Sequence, residues 1–471
     1  MIKSSLLLLF VAAPLLAQET PTERDAARGV VQKMDSLEKT LNLPSLVAKL
    51  TASNPARDQV VARAKELMDT ELLAMGDDIT RHPEVGFQEK RSSQMLADYL
   101  TKHDFTVTMG TPGLPTAFVA RYNKGTPGPK LGVILEYDAL RGTKGAFHGD
   151  QHSTQGPIGM AAAIATAEFL TKTKTPGTVI VYGTPAEEMM PPSKTAMFKS
   201  QVFDADVIVR SHSSSQTARP APGFGTCCLN IDGAKYTFYG APAHQMTAWN
   251  GRNALTAVIH LFENIDAMRS NIRPEARIQG IITEGGAAPN VVPDRTQADF
   301  FIRYPDEVYL AQVTEMVDNA ARAAALATGT TVHIDHYGQN RDGIGIGTLS
   351  EVGFAYMKKY GAKDVQPEPG KPQGFEETGS VSSAIPGAQF TAKTSNSPNH
   401  TYEMEADALT DVGHSGFVVD AQAMTALLYD FATRPDFRAQ VKREFDTMAT
   451  LRSEYLNDLK KVYVTPKVVT P

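Results

Sequence analysis

From about residue 90 to residue 212 the chain repeats one pattern, a helical run followed by a short β-rich run that ends near His, Asp or Glu. FQEKRSSQMLADYLTKH precedes TAFVARY and KLGVILEY, GMAAAIATAEFL precedes GTVIVYG, and ADVIVRSH follows. Strands separated by helical segments build an α/β sheet whose ligands gather at strand ends. At ~100–200 residues per domain, the 471 residues allow two to four domains. Their 42% hydrophobic content is ample for sizeable cores.

A second unit begins near Tyr236. YTFYG is strand-like, GRNALTAVIHLFENIDAMRS reads as an amphipathic helix, RIQGIITEGG and QADFFIRYP as strands, and VYLAQVTEMVDNAARAAALATG as a helix closed by glycine. This βαββα order predicts a small α+β sandwich inserted into the larger α/β domain. Residues 18–70 read as surface helices, and the stretch AQAMTALLYDFATRPDFRAQVKREFDTMATLRSEYLNDL is helical. The expected organisation is a leader over 1–17, N-terminal helices over 18–70 and a catalytic domain in two parts, 71–232 and 341–471. An insert over 233–340 separates those parts, and the second part includes the C-terminal helices.

Several of the eleven histidines stand beside carboxylates at predicted strand ends. His148, Asp150 and His152 fall together in FHGDQHS; in an extended segment, Asp150 and His152 point to one side and can share a metal cluster. The strand GTVIVYG leads to TPAEEMMPP, where Glu187 and Glu188 are adjacent, and like charges so close are costly unless a cation or proton offsets them. In a metal hydrolase one of the pair coordinates and the other takes a proton from water. His212 ends the next strand, and His400 lies in a turn before the C-terminal helices. Asp150, His152, Glu188, His212 and His400 form an all N/O set suited to zinc and tolerant of manganese or cobalt. Five ligands exceed the needs of one open tetrahedral zinc, which favours two divalent ions; the bridging ligand is not legible.

The 46 Lys and Arg against 52 Asp and Glu, a net charge of −6, remove the bulk electrostatic case for nucleic-acid binding. The chain opens on Lys3, an apolar run from Leu6 to Leu16 and Ala17 before QETPTERD. This reads as a secretory signal peptide and is short for a membrane anchor of ~20 residues. Export to the periplasm or medium, without stable membrane insertion after cleavage, is the expectation. Cys227 and Cys228 are adjacent, which suits a reduced, buried pair rather than a disulfide.

Taken together, HPEVGFQEKRSS, LEYDAL, FHGDQHS, TPAEE, RSH, YGAPAHQ, GRNAL, NVVPDRTQADFFIR and PNHTYE resemble the zinc-dependent amidohydrolase and exopeptidase family. That family includes bacterial aminoacylases, plant auxin-conjugate hydrolases and p-aminobenzoyl-glutamate hydrolase. LEYDAL, and VGHSGF around His414, lean toward the last branch. The resemblance runs from about residue 70 to 430. It implies that the larger domain holds two metal ions and that the insert is a lid that also dimerises. It implies Asp150, His152, Glu188, His212 and His400 as ligands and Glu187 as general base. Asp138, with His148 nearby, would stand behind the ligands. His244 would meet the scissile carbonyl, and Asn290 and Arg303 the substrate carboxylate.

Two departures stand out. Asp150 occupies the place of a cysteine in the branch's CGH stretch, which shifts metal preference toward harder ions. FEETGSVSSAIP, with Glu376, Glu377 and Ser380, alters another acidic stretch. The implied activity is hydrolysis of the amide bond of an N-acyl amino acid or dipeptide-like substrate by metal-activated water, with Glu187 as base. A dipeptidase or carboxypeptidase of the same fold is the near alternative. A non-catalytic periplasmic metal- or peptide-binding protein is the alternative from another class.

Overall fold

The computed structural model describes residues 21–463 except 112, 123–127, 220–222, 224–229 and 367–378. The leader, Cys227, Cys228, Glu376 and Glu377 lie outside the described residues. The chain runs α1 (Pro21–Thr40), α2 (Leu43–Thr51), α3 (Pro55–Leu67), a π turn (Met68–Leu72), α4 (Leu73–Arg81), α5 (Lys90–Lys102), β1 (Thr106–Thr111), β2 (Leu114–Tyr122), β3 (Lys130–Leu135), β4 (Leu140–Gly142) and β5 (Gly145–Phe147). It continues through α6 (His152–Thr173), β6 (Thr178–Gly183), α7 (Ser193–Lys199) and β7 (Val207–Ser211). The inserted unit is β8 (Asn230–Tyr239), α8 (Ala254–Met268), β9 (Arg277–Glu284), β10 (Arg295–Tyr304), α9 (Glu307–Thr328) and β11 (Thr331–Asn340). Then come α10 (Gly347–Lys359), α11 (Gly379–Ser382), β12 (Gly387–Phe390), α12 (Tyr402–Ala408), α13 (Asp411–Thr433) and α14 (Pro435–Val462).

The larger sheet has the order β1-β2-β6-β3-β7-β12. Its β6, β3, β7 and β12 are mutually parallel, whereas β1 and β2 join antiparallel at one edge. Strand β3 lies near the middle with five of six residues buried, the near-continuous apolar pattern of a strand covered on both faces. Helix α6 is buried along almost its whole length, which small residues such as Gly159, against Leu135 and Val133, permit.

The N-terminal helices are not merely a surface layer. Leu50, Val60, Val61, Ala64 and Leu67 join the main core, and Arg57 is fully buried. The Arg57 guanidinium donates to Tyr356 Oη at 2.9 Å and to the Ala52 carbonyl at 2.6 Å. The sequence pattern missed this because a lone Arg in a charged helix looks solvated.

The insert is an antiparallel sheet, β11-β8-β10-β9, packed on one face by α8 and α9 around Tyr236, Phe238, Phe300, Leu261 and Val313. Strand β11 adds a sixth element to the expected βαββα order. Helix α14 belongs to both units: Phe437, Val441, Phe445, Met448 and Leu451 lie in the main core, while Leu459 and the following Tyr463 lie in the core of the insert. Tyr463 Oη donates to Asp306 Oδ2 at 2.6 Å. Among the described residues no helix is long and apolar enough to cross a membrane.

Candidate metal centre and active site

Five segments converge beside the carboxyl ends of the parallel strands. Glu136 and Asp138 follow β3, Asp150 precedes and His152 opens α6, Glu187 and Glu188 follow β6, His212 follows β7 and His400 precedes α12. Their donor atoms form three overlapping groups, each within 4.8 Å: Asp150, Glu188 and His400; His152, Glu187 and Glu188; Glu136, His152 and His212. All five ligands expected from the sequence, with Glu187, are thus brought together.

The Asp150–His152 segment is not extended. Gln151 takes φ 52 and His152 is the first residue of α6, so a left-handed turn aims the two side chains. Gln151 Nε2 donates to the Met404 carbonyl at 2.7 Å, and the His400 N–H donates to the Gly149 carbonyl at 2.9 Å. Two bonds therefore tie the turn of Asp150 to the turn of His400.

Glu89 positions the acidic pair from beneath. It is fully buried; its Oε1 accepts from the N–H groups of Phe87 and Ala186, at 2.9 and 2.8 Å, and its Oε2 from Thr116 Oγ1 at 2.9 Å. Ala186 itself is left-handed, φ 53, where the chain turns sharply to present Glu187. Asp138 Oδ2 then accepts from the Glu188 N–H at 2.9 Å.

The histidine tautomers follow from their partners. His152 Nδ1 lies 3.2 Å from Asp138 Oδ1 and His212 Nδ1 lies 3.1 Å from the Ser213 carbonyl, both acceptors. Each ring in its neutral form therefore carries hydrogen on Nδ1 and aims the Nε2 lone pair at the site, the usual arrangement behind a metal-ligating histidine.

The charges are poised against one another. Burial would raise the Asp150 carboxyl, but the His400 hydrogen bond at 2.9 Å and the nearby His212 and His152 hold it well below the usual range. Glu188 is pushed up to about 8, first by burial and then by Asp150 and Asp138. The crowding of Asp150, Glu188 and Asp138 thus raises one carboxyl while the histidines hold another down. The buried Asp150 Oδ1 and His152 Nε2 have no hydrogen-bond partner in the protein. Orphaned donors of N and O type, with crowded carboxylates, fit a pair of divalent cations.

Residues outside the expected set complete the floor. Glu136 Oε1 pairs with Lys194 Nζ and Arg210 NH1, both at 2.6 Å, and all three side chains are buried. Glu136 could have been found by its spacing of two from Asp138, which puts both on one side of an extended segment. Lys194 and Arg210 carry no such signal.

Other expected residues lie elsewhere. His148 is buried outside the donor groups, and burial pushes its ring down to about 3, so it is neutral. His414 Nε2 pairs with Asp77 at 2.9 Å, joining α13 to α4. His244 and Asn290 are exposed on the insert, where the Gln245 N–H donates to the Asn290 carbonyl at 3.2 Å and links their two loops. His244 Nδ1 accepts from the Met246 N–H at 3.1 Å, which leaves the ring hydrogen on Nε2. Arg303 lies on β10, on the sheet face away from α8 and α9, with its guanidinium 5.9 Å from the Phe301 ring.

Comparison with known proteins agrees with this geometry. Residues 229–329 match the peptidase dimerisation domain. The human Xaa-Arg dipeptidase is 28% identical over 396 residues, 79% of this chain and 88% of that protein. One of the subunits of the p-aminobenzoyl-glutamate hydrolase of Escherichia coli is 34% identical over 275 residues, 55% of this chain and 56% of that one. Among solved structures, a dinuclear metal-binding peptidase of the M20 family from Bacillus subtilis superposes with a TM-score of 0.52 at 19% identity, covering 77% of this chain and 98% of that one. The fold, the insert and the donor cluster agree: the chain carries a peptidase dimerisation domain, shares the fold of a dinuclear metal-binding peptidase of the M20 family and is a metal-dependent hydrolase of amide bonds.

Proposed function

We propose that the protein hydrolyses the amide bond of an N-acyl amino acid or dipeptide-like substrate and releases a free amino acid. The observation that carries this reading is the pairing of Glu187 with the donor cluster, its Oε2 3.9 Å from His152 Nε2 and its side chain largely buried. Asp150, His152, Glu188, His212 and His400 would hold two divalent ions, zinc by the chemistry of the donors, with manganese or cobalt as substitutes. When bound, such ions polarise the scissile carbonyl and make water acidic enough to attack near neutral pH. Glu187 takes the proton from the attacking water and returns it to the leaving amine. His244, with hydrogen on Nε2, donates to the developing oxyanion when the insert closes over the donor cluster as a lid. Asn290 and Arg303 hold the carboxylate end of the substrate, Arg303 by charge.

Two relatives point to different acyl halves. The Xaa-Arg dipeptidase acts by its name on a dipeptide, and the p-aminobenzoyl-glutamate hydrolase on an aromatic N-acyl amino acid. Assaying free dipeptides against N-acetyl, N-benzoyl and p-aminobenzoyl amino acids separates the two, since a dipeptidase requires the free amino group. Chelation should abolish hydrolysis, and one added metal should restore it. Absence of hydrolysis across the whole panel with metal bound would favour a binding protein instead.

The insert supports pairing of two chains. Strand β9 is an edge strand with Ile281 and Ile282 exposed, and Ile259 on α8 is exposed as well. An unpaired edge with exposed isoleucines is a template for another strand. Export through the leader over 1–17 completes the proposal and rests on the sequence alone.

A further inference from the structure

Large apolar side chains stand exposed around His244, and the proposed chemistry makes no use of them. Trp249, the only tryptophan of the chain, is 79% exposed and Met246 71%, both in the 3-10 turn Gln245–Asn250 that follows His244. Val291, exposed as well, follows Asn290. Val291 and Ala248, the residue before Trp249, also line a cleft of about 560 Å³ on the insert, within the size range of small-molecule sites. Exposed apolar side chains that cluster, rather than lie scattered, mark a binding surface.

The backbone ties these side chains to His244. The Thr247 N–H donates to the His244 carbonyl at 2.8 Å, and the Gly251 N–H to the Ala248 carbonyl at 2.9 Å. Ala241 and Arg252 exchange two backbone bonds, at 2.9 and 3.0 Å, which close the loop at its base. The Val292 N–H donates to the Ala243 carbonyl at 2.9 Å and fastens the Asn290 segment to the same loop. A motion that carries His244 to the scissile carbonyl therefore carries Trp249, Met246 and Val291 with it. In that pose Asn290 and Arg303 take the carboxylate end of the substrate. The acyl half, bonded directly to the carbonyl, is left for the apolar side chains.

We propose that Trp249, with Met246, contacts the acyl half of the substrate and selects a large apolar or aromatic group there, such as a benzoyl group or the side chain of an N-terminal phenylalanine. The proposal rests on the amide-hydrolase reading, in which His244 meets the scissile carbonyl, and adds to it the chemical class of the acyl half. An indole face and a thioether reward a flat aromatic group by stacking and sulfur contact, whereas an acetyl group leaves most of both side chains in water.

The test uses Trp249 as its own reporter, since all tryptophan emission comes from this one residue. In zinc-loaded Glu187→Gln protein lacking residues 1–17, saturating N-benzoylglycine should shift the emission to the blue and shield it from iodide, and N-acetylglycine should do neither. In wild type, kcat/KM for N-benzoylglycine should exceed that for N-acetylglycine at least ~tenfold, with Phe-Gly against Ala-Gly as the pair if a free amino group is required. Trp249→Ala should lower this ratio at least ~fivefold, and Trp249→Phe, which keeps an aromatic face, should hold it within ~twofold. Unshifted emission with saturating N-benzoylglycine, or an unchanged ratio in Trp249→Ala, would overturn the proposal. So would an effect of Trp249→Ala confined to the amino half, N-acetylphenylalanine against N-acetylglycine. Emission already blue without ligand, and moving to the red on dilution, would assign the patch to a second chain and overturn it too. Hydrolysis of either series without an aromatic preference would overturn this proposal alone; hydrolysis of neither, with metal bound, would overturn the underlying reading with it.

Discussion

Asp138 holds His152 and the Glu188 peptide at once: Oδ1 lies 3.2 Å from His152 Nδ1, and Oδ2 accepts from the Glu188 N–H at 2.9 Å. One buried carboxylate thus fixes the ring of one expected ligand and the backbone of another. Asp138→Asn should keep the fold but lower metal affinity ~10–100-fold, the usual cost of losing a partner behind a ligand. Competition with a chromophoric chelator measures this; unchanged affinity would contradict it.

Asp420 gives the fold a pH dependence away from the donor groups. On α13 it is fully buried, with Oδ2 accepting from Ser211 Oγ at 2.7 Å and Oδ1 from the Ala392 N–H at 3.0 Å. Burial pushes its carboxyl up to about 7 despite both bonds. In the unfolded chain an Asp ionises near ~3.9, so the folded protein keeps a proton that the unfolded chain has released. The stabilisation is whole below about 4 and is lost as pH rises through about 7, at up to ~1.4 kcal/mol per pH unit. Asp420→Asn should therefore gain melting temperature relative to wild type at pH 8 compared with pH 5. An equal difference at both values would contradict this.

Helix α14 ties the insert to the main domain through its last turn and Tyr463. The ring of Tyr463 packs near Tyr309, centroids 5.1 Å apart, with the Arg273 guanidinium 4.6 Å from its centre, and its hydroxyl meets Asp306. Tyr463→Phe removes a hydrogen bond to a buried carboxylate and should cost ~1.5–3 kcal/mol in denaturant unfolding. An unshifted midpoint would contradict this anchoring.

Ile259 and Ile282 lie on the helix side of the lid, where β9 faces outward. If two chains pair there, Ile259→Lys combined with Ile282→Lys should give a monomer by light scattering with secondary structure intact. A variant of unchanged mass, with wild type a dimer, would place the interface elsewhere.

The sequence made the donor cluster legible because metal chemistry restricts residue type: His212, Glu187 and Glu188 follow apolar strands, where few other residues serve. The lid was legible through its helix periods, α8 and α9, and its β-rich runs. Glu136 was hidden because one carboxylate at the end of KLGVILEY looks like a strand terminus, and its burial depends on Lys194 and Arg210 from segments far along the chain. Arg57 and Tyr463 were hidden for the same reason. Arg57 and Tyr463 each owe their role to a partner more than 100 residues away, Glu136 to partners more than 50 away, and local periodicity carries no record of such pairs. The left-handed Gln151 escaped because glutamine gives no turn signal of the kind glycine or asparagine gives.

The most direct test of the proposed chemistry is turnover by Glu187→Gln with its metal content measured in the same preparation. Glutamine keeps the shape of the side chain but cannot accept the proton from water. The expected result is full metal occupancy with kcat reduced ~10²–10⁴-fold, the contribution of a positioned general base. Turnover near wild type with the metal retained would contradict the account.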